Sequence, residues 1–188
     1  TGYAYSIYER LVFLDTELQM IASSMNASLN GSGQTPSVVF NKRLASRFKA
    51  VALFNPVDRY IPLYKTMNTF KKPSVKEIKH ISDGKTAVSI INRPGHLPKI
   101  RMIRVVDPKN LSAGYLIGEI NPIYLWGLSE GNTLPPGTEV CVLDGSKHLL
   151  FSSYSNEDPF IRDFGFQFNN SISGQFDWVV QNEQYLAS

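Results

Sequence analysis

The sequence contains little cysteine, no long apolar run and little excess charge, and each shortage excludes a class of protein. Cys141 is the only cysteine among the 188 residues, which excludes an intrachain disulfide and a zinc site built from cysteines. No apolar run approaches the roughly 18 residues that a membrane-spanning helix needs. The net charge is +3, which indicates neither a nucleic-acid-binding protein nor a polybasic membrane anchor.

Patterns typical of catalysis and metal binding are also missing. His80, His96 and His148 are scattered and lack the spacing of metal ligands. The sequence has no glycine-rich phosphate loop, no nucleophile elbow and no kinase signature. We therefore predict that this chain is not an enzyme and has no catalytic residue, no metal site and no cofactor, whatever domain is attached to it.

The composition is that of a globular protein. Hydrophobic residues make up 43% of the chain and charged residues 19%, a balance that favours a buried core over disorder. The length suits one large domain or two small ones. Because the chain begins at Thr1 and carries no signal peptide, we interpret it as a processed chain or a piece of a longer protein.

A long helix is predicted from Tyr3 to Asn30. Its apolar residues recur in alternating steps of four and three, which is a heptad pattern. They are Ile7, Leu11, Leu14, Leu18, Ile21 and Met25. Two interpretations remain open. The stripe packs against a sheet of the same chain, or it joins two copies of the chain as a dimer helix.

The next part of the chain contains five predicted strands. They are residues 49–54, 59–65, 85–92, 99–107 and 113–120. The last three strands should pair antiparallel, because their connections are short and rich in turn-forming residues. Pro62 places the second strand at a sheet edge or at a bulge. Ser74 and Glu77 have the spacing of a capping box, which predicts a helix between the second and third strands.

Asn121 and Pro122 predict the start of another helix, and a smaller unit follows it. Residues 138–154 read as a hairpin and residues 175–181 as one further strand. A hairpin with one strand makes a poor independent sheet. We therefore predict that residues 138–188 are unstable alone, and that Cys141, among apolar neighbours, is a buried and inert thiol.

The order of these elements resembles the double Cache family of extracytoplasmic sensor domains of bacterial signalling receptors. The stretch "SAGYLIGEINPIYLWGL" is similar to the family's last distal strand and linking helix. The stretch "PPGTEVCVLDGSKHLLFSS" is similar to the strand-turn-strand that opens the proximal module. The long N-terminal helix is similar to the family's stalk helix in place and length. The resemblance implies an α+β fold with a stalk helix and PAS-like antiparallel sheets, the second module being small or incomplete.

The resemblance also implies a division of the chain into four parts. These are a stalk helix and loop at 1–36, a membrane-distal PAS-like ligand-binding module at 37–121, a linking helix at 122–137 and a partial membrane-proximal PAS-like module at 138–188.

Members of this family are sensor regions of chemoreceptors, histidine kinases and GGDEF/EAL-type proteins. The resemblance therefore implies the periplasmic or extracellular part of a bacterial inner-membrane protein. Such a part binds a small molecule and relays binding through its helices to a cytoplasmic output domain. The family's amino-acid-binding branch has an arginine close before a tryptophan and a tyrosine, but this chain reads "KPSVKEIKHISDGKTAV" there. Amino-acid sensing is therefore not supported. The alternative function is a dimerisation or assembly module without a physiological small ligand.

Two arginines interrupt the apolar strand at 99–107. Side chains alternate along a strand, so Arg101 shares a face with Ile103 and Val105, and Arg104 points to the other face. A guanidinium over a buried face needs an acidic partner or an anionic ligand. Either Glu119 on the neighbouring strand is that partner, or one arginine holds a carboxylate in a pocket.

Three tyrosines are candidates for the wall of such a pocket, because tyrosine combines an apolar ring with a polar tip. As core residues they need no ligand, so ordinary core packing is the other interpretation. The complete set of predicted ligand-binding residues is Arg101, Arg104, Tyr64, Tyr115, Tyr60 and Glu119. The predicted partners are a small-molecule ligand, such as an anion or carboxylate, and a second copy of the chain bound through the stalk helix. Nucleic acid is not a predicted partner.

Overall fold

The chain forms two compact units, Thr1–Pro135 and Pro136–Ser188. The computed structural model describes nine segments of it. They are residues 2–31, 42–55, 59–68, 71–93, 96–128, 140–144, 149–153, 176–180 and 183–187. No helix in these segments is long and apolar enough to cross a membrane.

The first unit is built on a five-stranded antiparallel sheet with helices before and between its strands. The helices are α1 (Gly2–Gly31), α2 (Lys42–Arg47), α3 (Val75–Ser82) and α4 (Pro122–Leu125), with a short 3-10 turn at Leu111–Ala113. The strands are β1 (Phe48–Asn55), β2 (Arg59–Tyr64), β3 (Ala87–Arg93), β4 (His96–Val105) and β5 (Tyr115–Ile120). Their order in the sheet is β2-β1-β5-β4-β3. The predicted α+β class and antiparallel pairing are confirmed.

The heptad stripe of α1 packs against the sheet of its own chain. The four stripe residues from Leu14 to Met25 are buried, and α1 contacts β4 and β5. Gly118 on β5 makes this close packing feasible, since a Cβ there would lie 2.7 Å from the ring of Phe48 and 3.4 Å from Leu18. The packing interpretation of the stripe is therefore confirmed, and the dimer interpretation stays a prediction.

The predicted helix caps and the predicted edge strand are present in the structure. Ser74 and Glu77 form both halves of a capping box at the start of α3. Asn121 caps α4 with Pro122 in its first turn. β2, which contains Pro62, is an edge strand and also carries a bulge in its pairing with β1. α4 ends at Leu125 with Trp126 as its C-cap, so it is shorter than the linking helix predicted at 122–137, of which residues 129–137 lie outside the described residues.

The second unit contains two described hairpins. The strand β6 (Cys141–Leu143) pairs with β7 (Leu149–Ser152), and β8 (Phe176–Val180) pairs with β9 (Glu183–Ala187). The prediction missed β9, in which Glu183 and Ala187 are weak strand formers, and the structure shows it paired with β8. The prediction of a buried thiol was also wrong. Cys141 is partly exposed, with its Sγ 3.6 Å from Ser152 Oγ.

Candidate functional site

The side of the sheet that faces α3 carries rows of side chains that run across the strands. Cross-strand pairing places Ala50, Glu119, Arg101 and Ser89 beside one another on β1, β5, β4 and β3. This row is polar except for one alanine. The adjacent row is apolar and consists of Ala52, Ile117, Ile103 and Ala87.

The apolar row is the floor of a buried cluster that α3 closes through Ile81 and the β2–α3 connection closes through Met67. Two of the predicted tyrosines, Tyr60 and Tyr115, pack against this cluster. Tyr115 stacks on Phe54 with 5.0 Å between ring centroids. The Tyr60 hydroxyl accepts a hydrogen bond from the Met67 amide at 2.8 Å. Both tyrosines therefore pack at the border of the apolar cluster, Tyr115 against Phe54 and Tyr60 against the β2–α3 connection.

The third tyrosine, Tyr64, does not join this cluster. The bulge in the β1–β2 pairing aligns Tyr64 with Val51 instead of with a residue of the apolar row. Val51 alternates with Ala50 and Ala52 along β1, so it faces away from α3. The Nζ of Lys65 lies 5.4 Å from the centroid of the Tyr64 ring.

Arg101 lies deep in the polar row, with 4% of its surface exposed. Its Nε donates to Ser89 Oγ at 2.8 Å, and its Nη1 donates to the Lys71 carbonyl oxygen. Its Nη2 lies 3.3 Å from Glu77 Oε1. A guanidinium has five N–H groups, so three of them have acceptors among the described residues. The prediction of an arginine over a buried face is confirmed for Arg101.

Glu119 pairs with a cation other than Arg101. Its Oε2 lies 2.7 Å from Lys99 Nζ, and both side chains are largely buried. Glu119 and Arg101 are direct neighbours across β5 and β4, as the sequence predicted, yet the acid that contacts Arg101 is Glu77 on α3. The prediction that Glu119 pairs with an arginine was therefore wrong, because Lys99, two residues before Arg101 on β4, reaches the same carboxylate.

Glu77 has two functions at the edge of this site. Its Oε2 accepts from the Ser74 amide at 2.6 Å and from Ser74 Oγ at 2.7 Å. Burial raises its pKa. Hydrogen bonds from Ser74 and Ser89 and the charge of Arg101 lower the pKa by a larger amount, so it falls from 4.5 to about 2. Glu77 is therefore a carboxylate throughout the physiological range.

Arg104 lies on the opposite side of the sheet. Its Nη1 donates to Asp15 Oδ1 of α1 at 3.1 Å and to Thr86 Oγ1 at 2.9 Å. Thr86 Oγ1 also donates to the same Asp15 oxygen. The structure thus separates the two arginines. Arg101 belongs to the side covered by α3, and Arg104 attaches α1 to β4.

A groove of about 550 Å³ runs between α3 and the edge strand β3. Glu77 and Ser89, both partners of Arg101, form part of its lining. The rest of its lining comes from Lys76, Lys79, His80, Asp83, Ala87 and Val88. The groove therefore reaches from solvent to the residues that surround the buried guanidinium. In the described part of the chain, no group of three histidine, cysteine, aspartate or glutamate residues is placed to hold a metal ion.

Four of the six predicted site residues therefore meet on one side of the sheet, and two do not. Arg101, Glu119, Tyr60 and Tyr115 face α3, whereas Arg104 and Tyr64 do not. Sequence reasoning missed Lys99 and Ser89, which alternation along β4 and β3 places on the same face. It also missed the contact of Glu77 with Arg101, which the capping-box spacing does not indicate.

Structures with the same fold are ligand-binding domains of bacterial chemoreceptors. The ligand-binding domain of the Pseudomonas fluorescens chemoreceptor CtaA in complex with L-alanine aligns with a TM-score of 0.57 and 13% identity, over 98% of this chain and 84% of that chain. The same domain in complex with L-isoleucine aligns with a TM-score of 0.57 and 14% identity, over 98% of this chain and 80% of that chain. No family model matches the sequence, and no curated protein matches it significantly. The likeness establishes the fold, a long N-terminal helix with a PAS-like antiparallel sheet.

Proposed function

We propose that the chain is the extracytoplasmic sensor domain of a bacterial membrane receptor and that its first unit binds a small carboxylate. The observation that carries this proposal is Arg101, a guanidinium buried to 4% exposure beside an apolar floor. A buried cation of this kind suits bidentate recognition of a carboxylate. The shared fold with chemoreceptor ligand-binding domains supports the sensor assignment and the periplasmic location.

The ligand would lie between α3 and the sheet, with its carboxylate on Arg101. The contact of Arg101 with Glu77 is 3.3 Å long, whereas charge-assisted N–H···O bonds are typically about 2.7–2.9 Å. Two guanidinium N–H groups also have no acceptor among the described residues. The floor has small side chains at Ala52 and Ala87, so the apolar part of the ligand would lie over these two positions.

Amino acids belong in the first ligand panel together with simple carboxylates. Arg101 and Glu119 are adjacent groups of opposite charge, an arrangement that suits the carboxylate and ammonium groups of a zwitterion. The CtaA domain binds L-alanine and L-isoleucine. This chain nevertheless lacks the arginine, tryptophan and tyrosine trio of the amino-acid-binding branch, so the panel has to include carboxylates without an amino group.

The two arginines of β4 suggest how binding reaches the stalk helix. Arg101 contacts the ligand side of the strand, and Arg104 on the opposite side is bonded to Asp15 of α1. A shift of β4 on ligand binding would therefore be transmitted to α1. In the parent receptor α1 would pass this shift to the cytoplasmic output domain.

Thermal-shift screening of the whole chain against amino acids and C2–C5 carboxylates tests the proposal, followed by calorimetry of each hit. A ligand that binds only the folded protein raises the melting temperature by mass action. Arg101→Lys keeps the charge but loses the bidentate fork and should weaken binding about tenfold or more. Arg104→Lys is the matched control on the same strand and should bind normally. Equal affinity in both variants would remove Arg101 from the site.

An assembly module is the second candidate, because α1 exposes apolar residues that the first unit leaves uncovered. Tyr5, Tyr8 and Val12 are 64%, 63% and 44% exposed, and their spacing places them along one side of the helix. Light scattering after size exclusion measures the mass directly. A stable dimer that Tyr8→Glu dissociates, together with no hit in the ligand screen, would favour this candidate over the sensor.

A further inference from the structure

The two carboxylate oxygens of Glu77 face different partners. Oε2 accepts from the amide and the hydroxyl of Ser74 at 2.6 and 2.7 Å, which caps α3. Oε1 faces Arg101 Nη2 at 3.3 Å. The cap contacts are short and the arginine contact is long, so the helix cap does not depend on the ion pair. Glu77 can therefore lose Arg101 and still cap α3.

Arg101 and Lys99, its neighbour on the same face of β4, are each paired with a carboxylate. Two cations, Lys99 and Arg101, face two anions, Glu119 and Glu77, among the described ion pairs of this side of the sheet. Glu119 is held by Lys99 at 2.7 Å. Glu77 is thus the carboxylate that a ligand would meet at the guanidinium, and its charge would repel a ligand carboxylate there unless Glu77 withdrew.

We propose that Glu77 is an internal competitor for Arg101 and that it sets both the affinity of the site and its selectivity for ligand charge. This inference rests on the proposed carboxylate site. Glu77, which lines the α3–β3 groove, places its Oε1 3.3 Å from Nη2 of the Arg101 guanidinium. An incoming carboxylate takes its place, and the repulsion from Glu77 grows with the negative charge of the ligand. Glu77 therefore lowers the affinity for dianions more than that for monoanions, and it leaves the affinity for neutral molecules unchanged.

Glu77→Gln separates the two functions of this residue, because glutamine at the same helix position also forms a capping box. The variant removes the competing charge and leaves Arg101 and the helix cap in place. Dissociation constants of succinate, propionate and propionamide are measured by calorimetry on the full chain at low and high salt. We expect about tenfold tighter binding of propionate, a larger gain for succinate and no gain for the uncharged propionamide. Salt should reduce these gains.

Two controls distinguish competition from a loosened helix. Ser74→Ala weakens the cap without touching Arg101 and should not tighten binding. Glu77→Asp keeps a negative charge in the first turn but shortens the side chain, so it should tighten binding less than glutamine does. Melting curves of all variants verify that they fold, and the aspartate variant carries the test if the glutamine variant does not fold.

The outcomes separate this inference from the proposed function. In one outcome, propionate and succinate bind the native chain and bind more weakly to Arg101→Lys, but their affinity does not rise with Glu77→Gln. This result would support the carboxylate site and overturn the competition by Glu77. Equal gains for all three probes, or an equal gain with Ser74→Ala, would overturn it as well. If no carboxylate or amino acid binds either the native chain or Glu77→Gln, both the proposed function and the competition fail. Binding that is detectable only with Glu77→Gln would support both.

Discussion

Replacing Arg101 by methionine should destabilise the first unit by about 3 kcal/mol even without ligand. The substitution removes hydrogen bonds to Ser89 Oγ, to the Lys71 carbonyl oxygen and to Glu77. Bonds to a charged group contribute about 1.5–3 kcal/mol each. The loss stays below their sum because Glu77 keeps its contacts with Ser74 and because methionine retains much of the buried apolar stem.

Arg104→Met is the matched comparison, since it removes the same group from the other side of the same strand. The partner of Arg104 is Asp15, whose side chain is 40% exposed, so water can replace the lost contact. We expect a loss of about 1 kcal/mol or less. Urea unfolding followed by far-UV circular dichroism measures both values, because all described helices belong to the first unit. Equal losses, or an Arg101→Met variant as stable as the native chain, would refute this account of the buried guanidinium.

Three further predictions follow from single contacts. Gly118→Ala should cost about 1–3 kcal/mol in urea unfolding, because its Cβ would lie 2.7 Å from the Phe48 ring; an unchanged midpoint would contradict the close packing of α1. Tyr60→Phe should cost about 1 kcal/mol in the same assay, since it removes the hydrogen bond from the Met67 amide; no loss would mean that water satisfies that amide. The folded-state pKa of Glu77 is lowered from 4.5 to about 2, so its stabilising contribution is complete above the higher value and lost as the pH falls toward the lower one. The stability difference between the native chain and Glu77→Gln should therefore shrink across that interval, and a constant difference would refute the lowered pKa.

Features that depend on neighbours along the chain were predicted correctly. The capping box of Ser74 and Glu77, the helix start at Asn121 and the opposite directions of Arg101 and Arg104 all follow from local periodicity and local hydrogen bonding. The antiparallel pairing of β3, β4 and β5 also follows locally, because their connections are too short for parallel crossovers. The segment that became β9 was missed, since Glu183 and Ala187 have low strand propensity and its pairing with β8 is a tertiary feature.

The partners of the buried charges required the folded chain. Pairing of β4 with β5 placed Glu119 beside Arg101, as expected, but the carboxylate of Glu119 forms its ion pair with Lys99. The β2–α3 connection and α3 then brought the Lys71 carbonyl oxygen and Glu77 to the guanidinium. Pairing between elements distant in sequence depends on packing angles that no local pattern encodes.

The sequence by itself determined the caps of α3 and α4, which face of β4 each arginine takes and that the long helix carries one apolar side. These properties follow from steric preferences and periodicity within a few residues. Tertiary structure alone decided that Tyr60 and Tyr115 meet around the apolar cluster while the bulge turns Tyr64 away from it. Tertiary structure also decided that the acid in contact with Arg101 is Glu77, the glutamate of the α3 capping box. The physical reason is that sheet register and the docking of α3 arise from burial of the whole core, to which every strand contributes.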